Sequence, residues 1–157
     1  PMLRILDALA PCAAVVGMFL EMGWMTDGTR EGMPTRVPWA IESAFGRVHP
    51  VEIYTAVCWA AVCAAAVWML RRRWIPGVTG GMGFVLGGLV VFAMDFFRLP
   101  SQLFGTDLLD PIEIRGLETM ALGCGLLVWR VWVGSRRAGR SEAGTKAEAG
   151  AGVRDAF

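Results

Sequence analysis

The sequence is poor in what most functional sites are built from. Of 157 residues one is histidine and 18% are charged, with a formal net charge of +1. A lone histidine, His49, excludes bis-histidine haem ligation within one chain. Charge this close to balance gives no general case for binding nucleic acid. The four cysteines, Cys12, Cys58, Cys63 and Cys124, form no CxxC pair and have no histidine beside them, so no metal site is expected. They read as small packing residues, with Cys58 and Cys63, five apart, on different sides of a helix. No secretory signal peptide is evident, and Pro1 in place of an initiator methionine reads as a processed or internal start. No cofactor is expected.

Apolar residues are what the chain has in quantity: 55%, with a mean hydropathy of +0.49. They fall into four blocks, each of the length, 18 residues or more, that reads as a bilayer-spanning helix. The expected class is an all-α integral membrane protein, a four-transmembrane-helix bundle. Disordered, collagenous, disulfide-framework and ordinary soluble-enzyme readings are set aside. Spans are expected at about 5–25, 51–70, 77–97 and 112–133, each able to cross ~30 Å at ~1.5 Å per residue. With no water in the hydrocarbon, the backbone must satisfy itself, and helix is the only sensible form. Residues 1–134 thus form a membrane domain. Residues 135–157, made of Ala, Gly, Ser and charge, have little to bury and read as a disordered cytoplasmic tail.

Orientation follows the arginines. Arg4, Arg71, Arg72, Arg73, Arg130, Arg136, Arg137 and Arg140 fall on one side of four spans, which places both termini in the cytoplasm. The other side receives two loops that mix Arg30, Arg36, Arg47 and Arg98 with Asp27, Glu31, Glu42, Asp107 and Asp110. Trp24, Trp39, Trp68, Trp74, Trp129 and Trp132 lie near span ends or in the outer loop, where amphipathic rings settle at headgroup level. Gly80, Gly83, Gly87 and Gly88 in span three, with Ala61 and Ala65 in span two, read as helix-packing positions that let backbones approach closely. The 25-residue outer loop carries Met33, Val37, Trp39, Ile41 and Phe45, enough apolar surface to fold back on the membrane.

Ionisable side chains at bilayer depth are costly and therefore functional candidates. Glu21 lies near the outer end of span one, and Glu52 opens span two just after His49. Asp95 and Arg98 are three apart and able to pair on one helix face, as are Arg115 and Glu118. Together Glu21, His49, Glu52, Tyr54, Asp95, Arg98, Arg115 and Glu118 are expected to line one polar pocket in the outer half of the membrane. A carboxylate beside a histidine suits acid-base chemistry, and arginines suit a phosphate. The bland alternative is a set of interfacial ion pairs.

The succession Pro38-Trp39-Ala40, then His49-Pro50-Val51-Glu52-Ile53-Tyr54, then Asp95-Phe96-Phe97-Arg98 resembles the C-terminal half of prolipoprotein diacylglyceryl transferase. That family has Pro-Trp-Ala, His-Pro-x-Gln-Leu-Tyr-Glu and Tyr-Gly-x-x-Arg-Phe-x-x-Glu-Phe-x-Arg in the same order. Asp7-Ala8-Leu9-Ala10-Pro11 likewise resembles its Asp-x-x-Ala-Pro opening, and the match runs from about residue 7 to 130. The resemblance implies a helical membrane bundle with a cytoplasmic C-terminus, in the bacterial inner membrane. The activity it implies is transfer of a diacylglyceryl group from phosphatidylglycerol to a lipoprotein cysteine.

The departures bear on that activity. The family's Arg-x-Gly-Asn-Phe-x-Asn-Gly-Glu aligns with Glu21-Met22-Gly23-Trp24-Met25-Thr26-Asp27-Gly28-Thr29, so the arginine expected to hold the lipid phosphate is Glu21. In Gly87-Gly88-Leu89-Val90-Val91 the second arginine is Val91 and the tyrosine is lost. The Gln of the His-Pro segment is Glu52 and its final Glu is Thr55. The family's N-terminal half, with a further catalytic histidine, is expected to be absent. A carboxylate ~4 Å from a phosphate charge is repelled by about 4 kcal/mol at an effective dielectric of ~20.

Two functions are therefore carried forward. The first is a non-catalytic accessory subunit, a pseudoenzyme that packs against other integral membrane subunits and binds phospholipid structurally. The second is a transferase of altered specificity, or half of a split one, with His49, Glu52, Tyr54 and Arg98 in the pocket and Glu21 or Glu118 as candidate base. An ion path through the intramembrane carboxylates is a third and lesser reading.

Overall fold

The computed structural model describes residues 2–27, 32–43, 46–98 and 111–154, with side chains of the last helix described from 112 to 136. Four helices form the fold: α1 (Met2–Asp27), α2 (Val51–Arg71), α3 (Val78–Asp95) and α4 (Pro111–Arg154). Each contains a stretch long and apolar enough to cross a membrane, Ile112–Arg136 in the case of α4. The four expected spans are all present, each within a few residues of its expected ends. Helical backbone continues to Arg154, so residue 134 marks a change of composition within one helix. Of the outer-loop residues named above, Arg30, Glu31, Phe45, Asp107 and Asp110 lie outside the described residues, as do the side chains of Arg137 and Arg140.

The outer loop folds back on the bundle, through hydrogen bonds as much as apolar contact. Strands β1 (Ile41–Ser43) and β2 (Gly46–Val48) pair antiparallel, with Ile41 opposite Val48. Met33 N donates to Phe97 O at 2.8 Å and His49 N to Met33 O at 3.0 Å, tying the hairpin to the ends of α2 and α3. Beneath it Val48, Val51 and Thr55 are completely buried.

In the middle of the bundle Ala14, Val62 and Val90 form a small core, flanked by Cys58, Trp59, Cys63, Leu86 and Met94. Cys58 and Cys63 thus both pack inward, because five residues turn a helix by only ~140° and both edges of one face meet the core. Cys12 and Cys124 face outward instead, in the thiol form. The glycines of α3 stand where other residues come close. A Cβ on Gly80 would meet Leu6, on Gly83 Ala10, and on Gly87 Trp59. Ala61 is exposed and Ala65 is half-buried.

Helix α1 packs on α2, α3 touches both, and α4 rests on α3 alone among the described elements. The α3–α4 seam is a backbone contact. A Cβ at Gly88 would lie 2.5 Å from Gly116 O, and one at Gly123 would lie 2.7 Å from Gly81 O. Gly88→Ala is therefore expected to cost about 1–3 kcal/mol and to loosen α4, because helix backbones cannot yield as a side-chain tip does. Gly125→Ala, where the added methyl meets open space, is the neutral control. Denaturant unfolding of the two variants in detergent checks this; equal midpoints would refute it.

The end of the bundle that the arginines assign to the cytoplasm is fastened by charge. Asp7, 6% exposed, accepts hydrogen bonds from Gly77 N at 2.7 Å and Gly80 N at 2.8 Å, capping the N-terminus of α3 with a carboxylate from α1. Gly77 makes this turn at φ +95°, a conformation that glycine adopts without strain, and Leu3 packs against it. From α4, Arg130 Nε donates to Pro76 O at 2.7 Å. Arg72 lies over Trp68 and Arg136 over Trp132, so the aromatic belt and the basic side chains interleave here.

Candidate functional site

The polar residues near the outer end of the bundle are held in place by three local features. Glu21 comes from the last turns of α1, and its side chain points inward because Asp7, Ala14 and Glu21 recur on the buried side of that helix. Arg98 follows α3, where backbone bonds from Phe97 N to Met94 O and from Arg98 N to Asp95 O tighten the helix end and turn the side chain back toward the bundle. Arg115 lies in the second turn of α4. These meet at a cavity of about 260 Å³ lined from all four helices. Leu20, Glu21 and Trp24 belong to α1, Thr55 and Trp59 to α2, Val91 and Met94 to α3, and Ile112, Arg115 and Thr119 to α4; Arg98 also lines it.

At its centre Arg98 Nη2 and Glu21 Oε2 form an ion pair at 2.8 Å, the two side chains 10% and 8% exposed. Attraction in so dry a place is strong, but so is the cost of taking both charges out of water. Arg98 thus meets a carboxylate from the first helix, a partner that spacing along α3 does not reveal. It meets Asp95 through the backbone hydrogen bond already described. Arg98 Nε is buried without a hydrogen-bond partner among the described residues, as is Glu52 Oε1. Buried polar groups in that state are the ones a ligand or water relieves.

The expected single pocket is divided. Glu21, Arg98 and Arg115 line the cavity. His49 and Tyr54 form a second cluster under the hairpin: Trp39 Nε1 donates to Tyr54 Oη at 2.6 Å, and His49 Nδ1 lies 3.4 Å from the same oxygen. His49 also meets the edge of Phe97, with ring centroids 5.8 Å apart. Glu52 and Asp95 are buried but are not among the cavity-lining residues. Glu118 lies elsewhere, on the outward side of α4 in a shallow groove with Ala121 and Leu122. Among the described residues it makes no ion pair with Arg115, which faces the cavity.

The sequence reading missed Trp59 and Thr55 as lining residues. Trp59 carries a signal in retrospect, being the tryptophan that sits in the middle of a span. It fills the space left by Gly17 and Gly87, so a bulky ring and two absent side chains make one wall. Residues of α1 and α4 both line the cavity, which is partly open to the outside. The chemistry available is one neutralised ion pair, one further guanidinium, two hydroxyls and apolar wall. That composition suits the neck of a lipid better than a soluble polar molecule.

Comparison with known proteins agrees with this architecture. A family model described as prolipoprotein diacylglyceryl transferase matches residues 1–129. The phosphatidylglycerol–prolipoprotein diacylglyceryl transferase of Nitratidesulfovibrio vulgaris is 34% identical over 107 residues, covering 66% of this chain and 40% of that protein. The Porphyromonas gingivalis protein of the same name is 27% identical over 142 residues, 80% of this chain and 47% of its own length. That of the Brugia malayi Wolbachia is 29% identical over 138 residues, 82% and 52% respectively. The chain thus spans about half or less of the curated relatives it matches. No solved structure gives a significant match. With four membrane-spanning helices and a family match over most of its length, this chain is a multi-pass bacterial inner-membrane protein of the prolipoprotein diacylglyceryl transferase family.

Proposed function

We propose that this chain is a non-catalytic member of its family, an accessory subunit that stabilises a larger membrane complex and holds a structural lipid in the cavity between its helices. One observation carries the reading. Glu21 and Val91, the positions at which the family resemblance expects arginine, both face the cavity, and Glu21 is bound to the arginine nearest it. Of the cavity's three charged side chains, Arg98 is neutralised, and Arg115 alone is left to attract a phosphate. An anionic headgroup gains little there, while an acyl chain finds apolar wall at Leu20, Trp59, Val91, Met94 and Ile112. His49, the one imidazole, is turned to Tyr54 and Phe97.

The alternative of a transferase with altered specificity draws on the same His49–Tyr54 contact, which could serve proton transfer at the outer surface. The test combines gentle solubilisation of native membranes with a lipid-transfer assay in vesicles containing phosphatidylglycerol and a lipoprotein signal peptide. The expected result is co-migration in fixed ratio with a large assembly, and no transfer. A lone particle of one or two copies, with transfer that His49→Ala or Arg98→Ala abolishes, would overturn the proposal and establish the alternative.

A further inference from the structure

Helix α4 carries two stripes of identical spacing on opposite sides. Gly116, Met120, Gly123 and Leu127 pack on α3. Two residues further along at every step lie Glu118, Leu122, Gly125 and Trp129, rotated by about 200° and lining an open groove with Ala121 and Leu126. Among the described residues nothing covers the second stripe: Leu122 is 68% exposed and a Cβ on Gly125 would meet nothing within 4 Å. Gly125 therefore serves no close approach within the fold. Glu118 is six residues inside the apolar stretch of α4, about 9 Å along its axis from Ile112. It has neither ion pair nor hydrogen bond among the described residues. A carboxylate turned toward hydrocarbon is costly, and intramembrane acids are normally paired.

We infer that this face of α4 docks a transmembrane helix of another membrane protein, one that presents Arg, Lys or His opposite Glu118 and approaches closely at Gly125. Charge selects the occupant. Two copies of this chain related by a two-fold axis along the stripe would bring Glu118 against Glu118, like charge on like. Anionic lipid is repelled by the same carboxylate, and an acyl chain leaves it unsatisfied. A helix bearing a cation pairs the charge in a medium where pairing is strong, and the small residues Ala121 and Gly125 allow the backbones to meet. The inference rests on the accessory-subunit reading and assigns the surface through which that role is played.

The test places a photo-crosslinking side chain at Leu122 in the full chain in native membranes. Val57, outward-facing on α2, is the control site. The expected result is a discrete protein adduct from position 122 only, mapped to a transmembrane segment that contains a basic residue. Its yield should fall at least tenfold with Glu118→Lys and less with Glu118→Gln. Changing the mapped basic residue to Glu should restore the yield with Glu118→Lys. Both variants should keep the parent's unfolding midpoint, which separates lost docking from lost folding. Adducts to lipid alone, to a second copy, or to a segment without a basic residue would overturn the inference, as would a yield indifferent to Glu118→Lys. If the assembly still co-migrates while position 122 reaches only lipid, this surface is wrong and the subunit role survives. Loss of both overturns the two together.

Discussion

Glu21→Ala is expected to lower the folding stability by about 3–5 kcal/mol, the cost of leaving a buried partner charge alone. Arg98 would remain where its side chain is only 10% exposed, with Nη2 newly unpaired beside an Nε that already lacks a partner. Arg98→Ala should cost a similar amount for the mirror reason. The informative variant is the double one. Glu21→Leu with Arg98→Met removes both charges and fills the space with apolar groups of similar size, and should return to within about 1 kcal/mol of the parent. Unfolding in mixed micelles, followed by tryptophan fluorescence, measures all three. A double variant as unstable as the single ones would mean that each residue acts through separate partners, and that the pair is not the unit.

The second large effect is expected at the opposite end. Asp7→Ala strips the acceptor from two backbone amides, those of Gly77 and Gly80, in a site buried from water. Each stranded donor costs about 1–3 kcal/mol, so a loss on the order of 3 kcal/mol is expected. Asp7→Asn should fall between, because one carbonyl oxygen can serve one amide while its NH₂ faces the other. Hydrogen exchange gives a local readout: the amides of Gly77 and Gly80 should lose protection before those of the α3–α4 seam. Uniform loss along every helix, or none at Gly77, would show that the carboxylate does not cap α3.

Much of the fold was legible because a bilayer imposes its own ruler. Four apolar stretches of the required length cannot avoid being helices, and the observed spans differ from the expected ones only at the ends, where α1 begins at Met2 and α3 stops at Asp95. The hairpin was not legible, since strands of three residues carry too few alternations to be seen in a loop of mixed composition. The site was half legible. Every ionisable residue singled out as a site candidate lies toward one end of a helix or against the hairpin, yet spacing alone did not reveal every partner. Spacing along one helix suggested Asp95 with Arg98 and Arg115 with Glu118. The ion pair that forms joins residues 77 positions apart, which no local rule detects. Likewise Arg115 and Glu118, near neighbours along α4, line a cavity and a separate open groove respectively.

One detail of the arginine-rich end reaches further than its two hydrogen bonds. The oxygen that Arg130 engages and the amide hydrogen that Asp7 engages, Pro76 C=O and Gly77 N–H, are opposite ends of the same peptide group. A cation at the oxygen and an anion at the hydrogen both pull electron density the same way along that dipole, so each bond strengthens the other. Helices α1 and α4 are therefore in electronic communication through a single amide of the turn between α2 and α3. Disturbing the first helix at residue 7 slackens the grip on the last one at residue 130, and the two losses should not simply add.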